Sequence, residues 1–161
     1  MTTTKTWLRM LFHKLTATVF GIGYIGKGAG TVAAFFCCVC WYLCFTQNYN
    51  AIYSVGITFA IIGLGVWAGN KVEPIWGKDH GRVVIDEVAG MCISLLFIPV
   101  TIKFVVAGLI LFRFFDIAKP LFIKKLELLP GGWGVMMDDV LAGIYANILL
   151  HAFIWFYPFN T

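Results

Sequence analysis

Residues 51–70 read AIYSVGITFAIIGLGVWAGN and contain no charged side chain. Twenty uncharged, mostly apolar residues in an α-helix match the length of about 20 that crosses the hydrocarbon core of a bilayer. A second uncharged run occupies residues 28–45, and the polar sequence Gln47-Asn48-Tyr49-Asn50 separates the two runs. A connection this short predicts two antiparallel, neighbouring membrane helices.

The composition of the whole chain agrees with this prediction. Of 161 residues, 60% are hydrophobic and only 12% are charged, which departs strongly from the usual balance of soluble domains. We therefore predict an all-α integral membrane bundle that forms a single domain over residues 1–161, with no room for a separate soluble catalytic domain. Nothing in the composition indicates a nucleic-acid partner.

Two more apolar segments follow. Residues 88–112 are divided by Pro99 and Lys103 into halves too short to span, so a kinked or hairpin-like buried pair is favoured over one straight helix. Residues 140–159 form the last run, which makes about four embedded segments. The hairpin brings the polar segments 71–87 and 113–139 to one side, where every acid except Glu127 is expected to gather, whereas a straight crossing would separate them.

The N-terminal segment, residues 1–20, is predicted to be an amphipathic interfacial helix. Its apolar residues recur at helical spacing, with basic residues between them. The first thirty residues contain Lys5, Arg9, Lys14 and Lys27 and no acid, so we expect the N-terminus to lie on the cytoplasmic side. A secretory signal peptide is the alternative, but no cleavage site follows a clean apolar core.

The first acidic motif is KDHGRVVIDEVAG, residues 78–90. A continuous helix would align Asp79, Arg82 and Asp86 on one face, with Glu87 beside them. An ion pair at a solvated helix end is the simpler interpretation of such charges. The apolar flanks favour a functional interpretation, because carboxylates next to lipid are usually paired, bound to metal or catalytic.

Two more motifs combine acids and cations. FRFFDIAKP, residues 112–120, spaces Arg113, Asp116 and Lys119 by three, and Pro120 ends this helix or begins another. GGWGVMMDDVLAG, residues 131–143, places Asp138 and Asp139 where the last apolar run begins. Local salt bridges and helix capping are the simpler alternatives for both motifs.

The glycine-rich stretch GIGYIGKGAGT, residues 21–31, resembles a nucleotide P-loop but has Gly28 at the required hydroxyl position. It is interpreted either as a phosphate cradle that uses Lys27 and a helix capped by Thr31, or as a hinge with a threonine cap. The five cysteines lie inside apolar runs and are interpreted as packing residues.

Five or more carboxylates and several cations on one membrane face favour Mg²⁺ and phosphoryl chemistry. Carboxylate oxygens are the ligands that Mg²⁺ prefers, together with water and substrate phosphate. Sequence patterns of cysteine-dependent phosphatases, of aspartate-dependent phosphotransferases with D-x-D-x-[TV], and of headgroup transferases with D-G-x-x-A-R are missing.

The order of these motifs resembles the phosphatidylglycerophosphatase A family over roughly residues 20–150. The resemblance implies a bacterial inner-membrane, multi-pass, Mg²⁺-dependent lipid phosphatase with its site facing the cytoplasm. Its reaction would convert phosphatidylglycerophosphate, a glycerophospholipid of the cytoplasmic leaflet, to phosphatidylglycerol and inorganic phosphate. The chain departs from the family pattern at Gly26, Ala29 and Phe122, where prolines are usual, so the rigidity of the glycine-rich loop and the lipid fit are expected to differ.

The motifs and the resemblance together suggest the site residues. Catalytic roles fall to Asp86, Glu87, Asp116, Asp138 and Asp139; metal ligands are expected among Asp79, Asp86, Glu87, Asp138 and Asp139; and substrate phosphate is expected at Lys27, Thr31, Arg113 and Lys119. Two alternatives stay open: a phosphatase for another lipid monophosphate such as phosphatidic acid, and a non-enzymatic membrane cation transporter or scaffold. For a transporter, acids in mid-membrane would be expected. Asn147 and His151, the strong polar residues deep in the last run, fit a packing hydrogen bond better than a relay.

Overall fold

A computed structural model describes residues 2–78 and 80–156. Within these ranges the chain is all-α, as predicted, and contains no strand. A 3-10 turn at Ile22–Ile25 follows the first of the helices, whose bounds are α1 Thr2–Ala17, α2 Ala29–Phe45, α3 Ala51–Trp76, α4 Ile85–Leu95, α5 Ile102–Ala118, α6 Ile123–Leu126 and α7 Gly132–Phe156.

Two helices in the described ranges, α3 and α7, are long and apolar enough to cross a membrane. The helix α3 begins where the polar turn ends, because the Asn50 side chain accepts hydrogen bonds from the backbone N–H groups of Ile52 and Tyr53. The helix α2 is apolar but has 17 residues, which is at the lower limit of the length that crosses a bilayer. The count of about four embedded segments therefore stays a prediction.

The apolar stretch after the first acidic motif forms a hairpin, as expected. Residues 96–101, which include Pro99, connect α4 to α5, and the two helices pack on each other. Their contact lies in a core cluster that α2 and α7 also join, in which Met91 and Phe112 are fully buried. The chain thus reverses direction between α4 and α5, so the end of α5 lies near the beginning of α4.

The structure differs from the helix expected through Asp79, Arg82 and Asp86. The helix α4 begins only at Ile85, because the backbone N–H of Val84 bonds to Ala17 in α1 instead of continuing a helical ladder upstream. The Arg82 guanidinium lies over the rings of Tyr24 and Trp76 rather than on a helical face shared with Asp86. Asp79 lies outside the described residues.

Two helix caps that the sequence offered as interpretations are not formed. The helix α2 begins after Gly28, whose φ of 88° is a left-handed conformation that favours glycine, so Thr31 lies inside the first turn and does not cap it. The helix α7 begins at Gly132, so Asp138 and Asp139 lie in its second turn. Capping cannot explain that acidic pair.

Candidate active site

The contact between α4 and α7 places the two acidic motifs side by side. A methyl group at Gly143 would overlap the carbonyl oxygen of Gly90 and lie 3.1 Å from its carbonyl carbon. One turn further along, the Asn147 amide donates to the backbone carbonyl of Ser94 at 3.1 Å. Both contacts join positions 53 apart in sequence, so α4 and α7 run in the same direction with a constant register.

The same register pairs the acids one turn before the glycines. Asp86 precedes Gly90 by four residues and Asp139 precedes Gly143 by four, so each acid lies on the face of its helix that carries the glycine. Since glycine has no side chain, the backbones approach closely at the crossing, and the two carboxylates face each other across it.

Three carboxylates converge at this point: Asp86 and Glu87 from α4 and Asp139 from α7. One oxygen atom from each lies within 4.8 Å of the other two. Asp86 is 6% exposed and Asp139 is 4% exposed, and Glu87 Oε2 is buried without a hydrogen-bond partner. An unsatisfied buried carboxylate oxygen between two other acids is costly unless a cation binds there, so the donor set fits a divalent cation that prefers oxygen ligands.

The electrostatics of the α4 carboxylates are consistent with this interpretation. Burial raises the pKa of Asp86 well above its ordinary value, and the negative charge of Glu87 raises it further. Burial also raises the pKa of Glu87, although hydrogen bonds to Asp86 and to the backbone partly oppose the shift. These carboxylates cannot all be ionised at low cost without a compensating positive charge.

The start of α2 lies against the Glu87 side chain. A methyl group at Gly30 would overlap Glu87 Oε1 and lie 2.8 Å from its Cδ atom, so only a glycine leaves Glu87 in its present position. Lys27 and Thr31, which the sequence suggested for phosphate binding, flank this contact and are exposed. None of the hydrogen bonds or ion pairs recorded for the described residues joins either side chain to the carboxylates.

The end of α5 contributes a cation and a fourth acid. Arg113 and Asp116 form an ion pair, with 2.5 Å between Nη1 and Oδ2. The charges of both α5 residues act on Glu87. Arg113 Nε is buried without a hydrogen-bond partner, so this cation has a donor available next to the acidic cluster.

Lys119 lies between two more acids. Its Nζ atom is 2.8 Å from Asp138 Oδ2 and 2.5 Å from Glu127 Oε1. Burial alone lowers the pKa of Lys119, but its hydrogen bonds to these carboxylates outweigh burial and raise the pKa above its ordinary value. The residue ends α5 in a left-handed conformation, with φ 43°, which is uncommon outside glycine.

The expectation that Glu127 lies apart from the other acids is wrong, because Lys119 joins it to Asp138. Sequence reasoning also missed Gly30, Gly90 and Gly143. The spacing of four between acid and glycine in both DEVAG and DDVLAG was a signal for the last two.

Asn147 and His151 bear out the packing interpretation. The Asn147 amide donates to the carbonyls of Ser94 and Leu96, and His151 Nδ1 lies 3.0 Å from the Asn147 carbonyl oxygen. Asn147 therefore ties α7 to the end of α4.

The sequence model of the family Phosphatidylglycerophosphatase A matches residues 15–154. A protein of Bacteroides thetaiotaomicron named "Putative phosphatidylinositol-3-phosphatase" is 42% identical over 149 residues, covering 88% of this chain and 92% of that protein.

Two relatives carry the family's name. Phosphatidylglycerophosphatase A of Escherichia coli is 32% identical over 140 residues, covering 85% of this chain and 80% of the relative. That of Haemophilus influenzae is 45% identical over 92 residues, covering 55% of this chain and 56% of the relative. No solved structure matches the chain.

Proposed function

The chain belongs to the phosphatidylglycerophosphatase A family, and from this premise we propose that it is a Mg²⁺-dependent phosphatase for phosphatidylglycerophosphate. Membership makes it an enzyme that acts on a phospholipid and not a cation transporter or scaffold. In the proposed reaction water breaks the terminal phosphomonoester bond. The phosphorus atom gains the water oxygen, the released glycerol oxygen gains a proton, and the products are phosphatidylglycerol and inorganic phosphate.

The convergence of Asp86, Glu87 and Asp139 is the observation that carries the proposal. We assign the metal to these three residues, with Asp79 and Asp138 as further ligands from the sequence. When bound, Mg²⁺ supplies a Lewis acid that polarises a phosphoryl oxygen. The chain itself provides buried carboxylates in a fixed register, which lowers the cost of assembling the site around the substrate.

The cations at the end of α5 fit the substrate phosphate. Arg113 is proposed to donate through its buried Nε atom, since a guanidinium suits phosphate geometry. Asp116 holds Arg113 in place and Asp138 holds Lys119, so both cations stay beside the acidic cluster. Lys27 and Thr31 near the start of α2, which the glycine-rich sequence suggested, complete the proposed set.

A second substrate is favoured by one finding. The Bacteroides thetaiotaomicron relative, which aligns with 88% of this chain, is named for a phosphatidylinositol 3-phosphatase activity. Both lipids are phosphomonoesters on a polar headgroup, so the same metal site and cations would serve either one. The choice between them depends on the headgroup between phosphate and acyl chains.

The proposed location is the bacterial inner membrane, with a multi-pass topology and the site facing the cytoplasm. The basic N-terminal segment supports this orientation, because cytoplasmic loops carry an excess of Lys and Arg. Cysteine scanning would test it in a variant without the native cysteines. Lys78→Cys, near the acidic end, should react with an impermeant maleimide only in inside-out vesicles, and equal labelling in intact spheroplasts would contradict the orientation.

Phosphate release by the purified protein tests the function. We expect turnover of phosphatidylglycerophosphate with Mg²⁺, none with EDTA, and slower turnover of phosphatidylinositol 3-phosphate and phosphatidic acid. Asp86→Asn should lower turnover by at least about 100-fold, while Glu73→Gln, an acid outside the cluster, should not. Turnover that survives EDTA would refute the metal assignment, and a preference for the inositol lipid would replace the substrate.

A further inference from the structure

A groove of about 470 Å³ runs between α1 and α3, and the residues of the proposed active site do not line it. Its apolar wall consists of Leu8, Phe12 and Trp67, and the rings of Phe12 and Trp67 meet edge to face with 5.9 Å between their centroids. Two cations, Arg9 and Lys71, and the ring of His13 complete the lining. The groove is therefore apolar along its length and positively charged at its edge.

The positive charge of the groove has no acidic counterpart in its lining. None of the ion pairs found in the described parts of the chain includes Arg9 or Lys71, and both side chains are exposed. Burial, and then the charge of Lys71, lowers the pKa of His13, whose ring packs on Trp67 with 4.2 Å between centroids. The positive charge of Lys71 thus reaches His13 on the side of α1 that lines the groove. An anion bound in the groove would reduce the repulsion between the positively charged groups that line it.

The position of Lys71 along α3 indicates where the groove lies. It is the first charged residue after the uncharged stretch 51–70, so it marks the depth at which a spanning helix leaves the hydrocarbon for the headgroup region. At that depth the available anions are lipid phosphates, and a groove with an apolar wall also accommodates a chain attached to one.

We propose that this groove binds an anionic phospholipid, with its phosphate between Arg9 and Lys71 and one acyl chain along Leu8, Phe12 and Trp67. The bound lipid holds α1 against α3 and so keeps the amphipathic helix on the bundle. This site is separate from the acidic cluster, so its failure would leave the proposed phosphatase function untouched.

Native mass spectrometry of the full chain in detergent tests the proposal. Phosphatidylserine is the probe, because it is anionic but is neither substrate nor product of the proposed reaction, and phosphatidylcholine with the same acyl chains is its neutral counterpart. Removing two cations that each contribute about 1 kcal/mol should weaken phosphatidylserine binding by about 30-fold in the double variant Arg9→Gln/Lys71→Gln. Phosphatidylcholine should bind weakly to both proteins.

The matched control is Lys103→Gln/Lys124→Gln, which removes the same charge from exposed positions outside the groove. It should bind phosphatidylserine within about 2-fold of the wild type, and Phe12→Ala should weaken binding while leaving every charge in place. Equal losses in the two double variants, or no loss in Arg9→Gln/Lys71→Gln, would overturn the site. Displacement of the lipid by inorganic phosphate at the same concentration would show that the ligand is free phosphate and would overturn the lipid assignment.

Discussion

The substitution Gly90→Ala tests whether the crossing of α4 and α7 builds the candidate site. The added methyl carbon would lie 2.6 Å from the backbone oxygen of Asp139 and 2.5 Å from the Phe112 ring. Ordinary contact begins at 3.4 Å, so the methyl group is about 0.8 Å too close to the α7 backbone. The Phe112 ring is fully buried and the α7 backbone is rigid, so the helices must separate.

The separation has two expected costs. Overpacking of a buried contact destabilises a protein by about 1–3 kcal/mol. A shift of nearly 1 Å between Asp86 and Asp139 also disturbs a ligand set whose oxygens lie within 4.8 Å of one another, and a misplacement of about 1 Å can lower a rate on the order of 100-fold. We therefore expect Gly90→Ala to lose Mg²⁺-dependent phosphate release even where the protein stays helical.

The assay compares phosphate release, Mg²⁺-induced thermal stabilisation and circular dichroism in detergent. The control is Gly56→Ala in α3, where an added methyl group meets nothing within 4 Å and should stabilise the helix by roughly 0.5–1 kcal/mol. If Gly90→Ala keeps wild-type turnover and melting temperature, the close approach of α4 and α7 does not position the carboxylates and the reasoning is wrong.

Three further predictions concern individual groups. Burial and the charge of Glu87 raise the pKa of Asp86 in the folded state. The metal-free protein should therefore lose stability as the pH rises from the pKa of an unfolded aspartate, about 4, through that raised pKa. Asp86→Asn should flatten the dependence of the unfolding free energy on pH measured in EDTA. Gly30→Ala should displace Glu87 and weaken Mg²⁺ binding. Mg²⁺ should then stabilise the variant, as measured by thermal unfolding, by less than the roughly 2.7 kcal/mol that a ligand at 100 times its Kd supplies. Lys119→Met should break the ion pairs of Lys119 with Asp138 and Glu127 and cost about 2–4 kcal/mol in the free energy of chemical unfolding.

Each of these three predictions has its own control. Glu73→Gln should keep the pH dependence that Asp86→Asn removes, and a flat profile in the unaltered protein would contradict the first. Gly63→Ala, where a methyl group meets nothing within 4 Å, should leave the Mg²⁺ shift intact. Lys124→Met removes an exposed cation and should be nearly neutral, and an equal loss there would show that the Lys119 ion pairs add little.

The helices themselves could be predicted because their signals are local. The uncharged runs 28–45 and 51–70 became α2 and α3, and Pro99 marked the connection between α4 and α5. Local signals failed where a distant contact decided the outcome. The helix expected to include Asp79 and Arg82 starts only at Ile85, since the Val84 N–H bonds to Ala17 in α1.

The candidate site was predictable in its residue types but not in its grouping. The acids and cations of the motifs were identified from charge in an apolar context, and the structure brings Asp86, Glu87 and Asp139 together. That Asp138 pairs with Lys119, with Glu127 on the other side of the same ammonium group, depends on how α5 ends and α7 packs. No spacing along the chain encodes that choice.

By itself, the sequence determined that the chain is helical and apolar, that its acids and cations occur in a few motifs, and which family those motifs resemble. These features could be predicted because hydrophobic runs and the order of motifs are properties of the linear sequence. Only the tertiary structure decided which carboxylates meet. That decision rests on the close approach of Gly90 and Gly143 across positions 53 apart, where the lack of two side chains lets the backbones touch and brings the acids one turn away into a single cluster.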